Sequence, residues 1–186
     1  PIWVWFFTKD TYSCSKGRGI HGAMRNVKRA IKDRENARYC LKIDIRKFYP
    51  SIDHDVLKAI IRRKIKCKDT LALLDTIIDS TDGVPIGNYL SQYFANLMLA
   101  YFDHWIKEEK RVRYYFRYAD DMVFLASTKE ELHILLADIK KYLAALKLTL
   151  KGNEQIFPIA ENRADKHGRG LDFVGFVFYH NQTLMR

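Results

Sequence analysis

The order of apolar and polar positions along the 186-residue chain predicts helices alternating with strands. Helical periodicity places apolar residues on one face of several segments, each bounded by capping or turn residues. The predicted helices are 21–34, a helix that opens at Asp53, 69–79, 88 to about 107, and a helix that starts at the capping box of Thr128 and runs to Leu146.

Strand patterns fill the intervals between these helices. Runs of apolar, β-branched and aromatic residues with turn residues at their ends are typical of strands. The predicted strands are 39–45, 114–117, 122–125, 155–159 and 171–179, and the charged segment 161–170 is expected to be a loop. The resulting order of strand, helices, hairpin, helix and strand is that of a ferredoxin-like α/β (α+β) fold.

Two adjacent carboxylates, Asp120 and Asp121, fall at the turn of the predicted hairpin. Two ionised carboxylates side by side repel each other unless a cation neutralises them, and oxygen ligands of this kind suit Mg²⁺. Aspartate is also common in hairpin turns, so the pair by itself leaves a purely structural role open.

A third carboxylate, Asp44, lies near the end of the strand predicted at 39–45. An isolated buried carboxylate is costly, so Asp44 needs a partner. One alternative is structural, in which Asp44 pairs with Arg46 or Lys47 or caps the turn that follows. A two-metal phosphoryl-transfer site is the other alternative, since it needs carboxylates on neighbouring strands to hold ions roughly 3.5–4 Å apart.

At this point the chain resembles the reverse transcriptases. The resemblance runs from about Tyr12 to the C-terminus, with the family's motifs in order and at matching spacing. The matching segments are CSKGRGIH at 14–21 (entry to the fingers), DIRKFYPSI at 44–52 (first catalytic motif), GVPIGN at 83–88 with Ser91–Gln92 (template and nucleotide contacts), YADD at 118–121, and GLDFVGF at 170–176 (strand pair near the primer grip).

The resemblance implies an RNA-directed DNA polymerase that extends a DNA primer with dNTPs on an RNA template, using two Mg²⁺ ions. Asp44 and Asp120 would hold the ions, Asp121 would support the ion on the primer side, and the backbone carbonyl of Ile45 would add a ligand. The implied architecture is a polymerase palm with part of the fingers and with the thumb absent. Residues 1–38 would be partial fingers and residues 39–186 the palm, with a helical fingers insertion at about 53–82.

Further nucleotide contacts are carried over from the motifs. Tyr49 matches the steric gate that excludes a ribose 2′-hydroxyl, although a core tyrosine beside Phe48 is the alternative. Gly87 would let the backbone approach the nascent base pair, because any Cβ would intrude there, although an ordinary turn glycine is the alternative. Ile86 and Gln92 belong to the same loop and helix.

Three basic residues are weaker candidates. Lys16 and Arg18 are assigned to the triphosphate or to template phosphates, and an exposed basic loop with no such contact explains them equally well. Lys151 is assigned as general acid for pyrophosphate, at a point where the alignment slips by one residue.

The loop at Ile86–Gly87, followed by Ser91–Gln92, resembles the reverse transcriptases of diversity-generating retroelements. Those enzymes copy a template RNA with selective errors at adenine, and an accessory protein of the retroelement is a possible partner. The alternatives are a group II intron-type or defence-associated reverse transcriptase, or a noncatalytic RNA-binding palm scaffold. A palm-fold nucleotidyl cyclase also uses two metals, but it gives no reason for the Pro-x-Gly loop or the YADD motif.

Charge favours a nucleic-acid partner. The chain carries a formal net charge of +10, and 18 of its 32 Lys and Arg residues lie between Lys9 and Lys68, against 6 acidic residues in the same stretch. A clustered basic surface attracts phosphate backbones regardless of their sequence, although an ordinary solvated helix face explains part of the cluster.

Cysteine content and hydropathy bound the setting of the protein. The three cysteines are widely spaced, which argues against a zinc site or a disulfide framework and favours the cytoplasm. Apolar stretches are too short to span a bilayer, no secretory signal is recognised, and no membrane partner is expected.

Overall fold

A four-stranded antiparallel sheet organises the fold. In a computed structural model, which describes residues 5–15, 17–85, 87 and 89–186, the strands follow the order β2-β3-β1-β4. Their bounds are β1 Tyr39–Asp44, β2 Tyr114–Tyr118, β3 Asp121–Ala126 and β4 Gln155–Pro158. This strand order, with helices between β1 and β2 and between β3 and β4, is the ferredoxin-like arrangement, so the predicted fold class is confirmed.

Helices cover one face of this sheet. Side chains alternate between the two faces of a strand, and Leu41, Ile43 and Ile45 point from β1 and its end into the larger hydrophobic core, which these helices complete. The helices are α2 His54–Lys64, α3 Lys68–Ile78, α4 Tyr89–Met98, α5 Ala100–His104, a π-helical turn Trp105–Glu109, and α6 Lys129–Ala145. Among the helices that the structure describes, none is long and apolar enough to cross a membrane.

The other face of the sheet is covered by α1 (Gly19–Ala30) and by a second, three-stranded sheet. That sheet consists of β5 Leu171–Phe173, β6 Phe176–Phe178 and β7 Thr183–Met185. Together they bury a second core that includes Cys40 of β1 and Val123 of β3. By the same alternation, Lys42 and Asp44 of β1 belong to this second face.

Local capping signals set two helix starts as predicted. The side chain of Asp53 accepts a hydrogen bond from the backbone N–H of Val56 at 3.0 Å and caps α2. Thr128 accepts one from the N–H of Glu131 at 3.3 Å and caps α6, which ends at Ala145 with Leu146 as its C-cap. Because these bonds satisfy N–H groups that have no partner within the helix, the side chains fix where each helix begins.

Two predicted helices are wrong in extent. The helix predicted at 21–34 ends at Ala30, where Nδ1 of His180 hydrogen-bonds the carbonyl oxygen of Ile31 at 2.8 Å. The long helix predicted from 88 to about 107 is interrupted at Leu99 and continues as α5 and the π-helical turn. The interruption lies one turn before Asp103, whose carboxylate is held by tertiary contacts described below.

The strand predicted at 171–179 is a hairpin. Val174 and Gly175 both have positive φ, 48° and 83°, and this left-handed pair makes the tight turn between β5 and β6. Strand β7 was not predicted, because three residues are too few to show a pattern. The segment 161–170 contains no helix or strand, as expected for a loop.

Candidate active site

Strand pairing brings the three predicted aspartates together. Asp44 is the last residue of β1 and lies directly opposite Asp121, the first residue of β3. Asp121 also pairs with Tyr118, the last residue of β2, so Ala119 and Asp120 form the tight turn between them. Ala119 has a φ of +54°, which is the left-handed conformation that such a turn requires. Three carboxylates therefore lie at one end of the three adjacent strands β2, β3 and β1.

Burial and repulsion by neighbouring carboxylates make Asp120 and Asp121 hard to ionise. The pKa of Asp121 is raised to about 6, chiefly by burial and also by the charges of Asp44 and Asp120, while Lys42 opposes the shift. Burial also raises the pKa of Asp120, with a further contribution from Asp44. The direction of both shifts shows that the site favours a nearby positive charge.

Two lysines supply positive charge in this structure. Nζ of Lys42 lies 3.3 Å from Oδ2 of Asp121, and Nζ of Lys151 lies 3.6 Å from Oδ2 of Asp44. The ammonium of Lys42 also donates a hydrogen bond to the backbone carbonyl of Asp172 in β5. Sequence reasoning missed Lys42, although its position two residues before Asp44 places both side chains on the same face of β1.

The arrangement fits divalent cations through its oxygen atoms, but it is not a ready-made cage. Among the described residues, no three His, Cys, Asp or Glu side chains converge as a preformed metal site. One carboxylate oxygen, Oδ1 of Asp121, is buried without any hydrogen-bond partner. Because unpaired buried oxygens are uncommon and carboxylates are preferred ligands of Mg²⁺, this atom is suited to a cation that the two lysines only partly replace.

Replacing Lys42 with Met tests this balance of charges. The variant is expected to be less stable without added metal, because Asp121 loses its counter-charge. Removal of a like charge from the site should favour divalent binding by about 1 kcal/mol, or about fivefold in Kd. Mn²⁺ titration followed by electron paramagnetic resonance measures the change, with Lys140→Met as the control. Weaker Mn²⁺ binding by Lys42→Met would show that the lysine helps to build the site instead of competing for it.

A fully buried ion pair is hydrogen-bonded to the turn that Ala119 and Asp120 form. Arg117 of β2 and Asp103 of α5 have no exposed side-chain surface, and Nη2 of Arg117 lies 2.5 Å from Oδ2 of Asp103. Nη1 of the same guanidinium donates to the carbonyl oxygen of Ala119 in the turn at 3.1 Å. Burial alone would lower the pKa of Arg117, but the carboxylate of Asp103 outweighs burial and raises it. Arg117 thus remains charged and ties the turn to the helical layer.

The same pair is hydrogen-bonded on all sides. Asp103 accepts bonds from the hydroxyl of Tyr115 at 2.7 Å and from Oγ1 of Thr11 at 2.9 Å, and Asn96 accepts one from Arg117 at 3.1 Å. Such a network stabilises a buried ion pair only when every member is satisfied. Sequence reasoning missed it because its members are widely separated along the chain.

Tyr49, the predicted steric gate, is half-buried and lies five residues after the end of β1. Burial raises the pKa of its hydroxyl, and the negative charge of Asp120 adds to the rise. The backbone of Tyr49 is held by the loop at 83–85, since the N–H of Val84 donates to the carbonyl of Tyr49 at 3.1 Å. Gly83 packs so closely that a Cβ would lie 2.7 Å from Cα of Pro50.

Gly83→Ala is therefore expected to displace this turn. Gly83 has a φ of +67°, so the new methyl group would add backbone strain to the steric clash with Pro50. A loss of about 2 kcal/mol in the free energy of unfolding is expected, from strain of about 1–3 kcal/mol at such a position. Urea denaturation measures the loss. Gly152→Ala is the control, because it shares the positive φ but has no neighbour within 4 Å of the new methyl group. Equal losses in the two variants would show that the positive φ, and not the clash with Pro50, causes the loss of stability.

The structure also describes three further predicted residues, Gln92, Gly87 and Arg18. Gln92 is exposed on α4 and accepts a hydrogen bond from Sγ of Cys14 at 2.6 Å. Gly87 is exposed with a φ of +93°, which by itself explains a glycine there. The guanidinium of Arg18 donates to the backbone carbonyls of Thr8 and Thr11, so in this structure it anchors the N-terminal segment.

For the other predicted residues the structure gives fewer contacts or none that can be described. The side chain of Ile45 is buried, and the residue forms an isolated bridge with Leu150. Lys16 and Ile86 lie outside the described residues. The roles of all these residues toward a nucleotide stay predictions.

Comparison with curated proteins gives one relative, and the match covers only part of its length. Protein YkfC of Escherichia coli (strain K12) is 24% identical over 204 residues, and the match covers 85% of this chain and 54% of YkfC. The chain therefore spans about half the length of this relative.

Solved structures of telomerase from Candida tropicalis share the fold. The apo enzyme truncated from its C-terminal domain has a TM-score of 0.70 at 15% identity, covering 96% of this chain and 41% of that one. Apo telomerase has a TM-score of 0.67 at 14% identity, covering 95% and 37%. Telomerase in complex with a TWJ fragment of telomeric RNA has a TM-score of 0.64 at 15% identity, covering 92% and 33%.

A family match extends over most of the sequence. The sequence model described as reverse transcriptase (RNA-dependent DNA polymerase) matches residues 4–153, which include the strands that carry all three aspartates. The chain therefore belongs to the reverse transcriptase (RNA-dependent DNA polymerase) family.

Proposed function

We propose that this chain carries out RNA-directed DNA synthesis, extending a DNA primer with dNTPs on an RNA template. The observation that carries the proposal is the placement of Asp44 opposite Asp121, with Asp120 in the adjoining turn. Family membership supports the same activity. The lysine partners of these acids show that the site tolerates, and in part already holds, positive charge.

Asp44 and Asp120 would hold two Mg²⁺ ions, with support from Asp121 and from the backbone carbonyl of Ile45. When bound, such ions activate the attacking hydroxyl and offset charge on the phosphates. The strand pairing fixes the two carboxylate-bearing backbones with respect to each other, and Arg117 fixes the turn through Ala119. The chain's contribution is therefore to orient the carboxylates before substrate arrives.

The neighbouring residues would shape the nucleotide site. Tyr49 would exclude a ribose 2′-hydroxyl through its ring, as its match to the family's steric gate implies. Gly87 and Gln92 would face the nascent base pair, and Arg18 would lie at the template or triphosphate side. Lys151, whose ammonium lies 3.6 Å from a carboxylate oxygen of Asp44, would donate a proton to pyrophosphate.

Primer extension on poly(rA)/oligo(dT) tests the proposal. Purified protein is expected to incorporate dTTP with Mg²⁺, and incorporation should stop with EDTA. The same assay with rUTP tests the role of Tyr49, since Tyr49→Ala should incorporate rUTP while Phe48→Leu should not. Binding of the primer–template without any incorporation would favour the alternative of a noncatalytic RNA-binding scaffold.

The division into parts is also a proposal. Residues 1–38 would be part of the fingers and 39–186 the palm, with a helical fingers insertion at about 53–82 that α2 and α3 occupy. Helix α1 shares a core with the palm sheet, so the first part does not fold around a core of its own.

The retroelement lineage is proposed from one loop. Ile86–Gly87 followed by Ser91–Gln92 resembles the enzymes of diversity-generating retroelements, whose errors fall at template adenine. The hydroxyl of the buried Ser91 donates to the carbonyl of Pro85, so the start of α4 is tied to this loop. An accessory protein of the retroelement is a further proposed partner.

Ile86→Gln tests the lineage. An isoleucine has the bulk of glutamine but no hydrogen bond to offer, and a lost contact of this type is worth about 0.5–1.5 kcal/mol. Because each 1.4 kcal/mol is tenfold, the variant should lower misincorporation opposite adenine several-fold to about tenfold, and less opposite other bases. Sequencing of cDNA products measures the error spectrum, with Ile134→Gln as control. An unchanged spectrum with intact polymerisation would remove the support for error-prone copying through this residue.

A further inference from the structure

The outer face of α1 carries a row of cations. His21, Arg25, Lys28 and Lys32 recur at spacings of four, three and four residues, so they line one stripe of the helix and the turn that follows it. All four are exposed, and the buried residues of α1 lie on the opposite side. At a rise of 1.5 Å per residue, the stripe is about 16 Å long.

No acidic residue balances this stripe. The sequence contains no Asp or Glu from Thr11 to Lys32, and none of Arg25, Lys28 and Lys32 forms an ion pair with any residue that the structure describes. Exposed cations that lie close to acids do form ion pairs, as Lys110 does with Asp138 and Arg34 with Glu161. The charge of the stripe is thus unpaired among the described residues, and like charges at this spacing destabilise a helix.

The helix dipole explains only part of the row. Cations in the last turn of a helix are favourable, which accounts for Lys28 and, just beyond the end, Lys32. It does not account for Arg25 or for His21, which lie before the last turn of α1. A continuous, unpaired cationic row of this kind fits an extended anion, and a polynucleotide backbone repeats its charge at a comparable interval.

The stripe leads away from the candidate active site. Before α1 begins, Thr11 forms a bridge with Arg117, next to the catalytic turn. Beyond its end, the hydroxyl of Tyr114 donates to Asp33 at 2.7 Å, and Tyr114 is the residue of β2 most distant from that turn. A strand that leaves the active-site end of the sheet can therefore follow the stripe along the length of β2.

We propose that the stripe of Arg25, Lys28 and Lys32 binds the sugar–phosphate backbone of nucleic acid that extends beyond the catalytic site. The proposal rests on the proposed function for the identity of the strand, which would be the single-stranded part of the template. Contacts with phosphates read neither base nor sugar, so RNA and DNA extensions of equal length should bind alike.

Fluorescence anisotropy in EDTA tests the stripe without any need for catalysis. The probes are a blunt 12-base-pair RNA–DNA hybrid and the same hybrid with ten single-stranded nucleotides added to the 5′ or to the 3′ end of its RNA strand. The wild-type chain is expected to bind one extended probe about 10- to 100-fold more tightly than the blunt one. The variant Arg25→Gln/Lys28→Gln/Lys32→Gln should lose this gain, and its salt slope should fall by about 2 to 3.

Two matched variants separate the stripe from net charge. Lys141→Gln/Arg163→Gln/Lys166→Gln removes the same charge from exposed positions elsewhere and should keep the gain. Arg25→Lys/Lys28→Arg/Lys32→Arg keeps the charge of the stripe and should keep it too. Glutamine is a good helix former, so the neutral variant should retain its helical circular dichroism.

The proposal is overturned if the neutral stripe variant keeps the full gain, or if neither extension tightens binding by the wild-type chain. Stripe-dependent binding to vesicles with 30% phosphatidylserine, without any gain from the extended probes, would also overturn it, in favour of a membrane surface. Failure of primer extension leaves these outcomes unchanged, because they are measured without turnover.

Discussion

Arg117→Met is expected to lower the free energy of unfolding by about 3–5 kcal/mol, because it leaves the buried carboxylate of Asp103 without a counter-charge. A loss of this size is a large part of the stability of a typical domain. Urea denaturation should show a lower midpoint with an unchanged slope. The control Arg113→Met removes an arginine that is 63% exposed and should cost less than about 1 kcal/mol.

The double variant Asp103→Leu/Arg117→Met separates stability from positioning of the turn. Replacing both members of a buried ion pair by apolar residues is often neutral, so part of the lost stability should return. Arg117→Met also removes the hydrogen bond to the carbonyl of Ala119, which should lower kcat. The double variant does not restore this bond, so kcat should stay low while the KM for dNTP changes little. Recovery of both stability and kcat would show that the pair is structural only.

Asp120→Asn is expected to abolish dNTP incorporation while the fold remains intact. A bound metal ion supplies several kcal/mol of charge stabilisation, and each 1.36 kcal/mol is tenfold in rate, so a loss of about 10²- to 10⁴-fold is expected. Asp44→Asn and Asp121→Asn should act in the same direction. Stability without metal should rise slightly, because repulsion among the three carboxylates is relieved.

Single-turnover incorporation and thermal melting of the same samples measure the two effects. Asp172→Asn is the matched control. The carboxylate of Asp172 pairs with Arg186 at 3.0 Å, and no role in metal binding is proposed for it. It should incorporate dNTP at close to the wild-type rate. Extension by Asp120→Asn at a rate comparable to wild type would remove that residue from the site.

The sequence predicts the strands that carry the three aspartates well because their signals are local. The alternation of apolar residues in 39–45 and around the YADD turn, together with the caps at Asp53 and Thr128, is complete within a few residues. Antiparallel pairing then follows from the order of elements. For this reason the proximity of Asp44 to Asp121 could be predicted without a structure.

The support around the acids could not be predicted, because it joins distant parts of the chain. Thr11 reaches Asp103 across 92 positions, and Lys42 links the carboxylate of Asp121 to the backbone of Asp172 across 130. The break at Leu99 lies one turn before Asp103, and helical periodicity carries no sign of it. Sequence patterns therefore located the acids but not the buried arginine and the lysine that hold them.

The central claim is that Asp44 and Asp120 share a pair of divalent ions. The most direct measurement is anomalous scattering from Mn²⁺ in crystals of the protein with an RNA template, a DNA primer and a nonhydrolysable dNTP. If Asp44 and Asp120 share two ions, we expect two peaks roughly 3.5–4 Å apart, both within ligand distance of these two residues. Mn²⁺ at another place, or acids that keep their contacts with Lys42 and Lys151 in that complex, would contradict it.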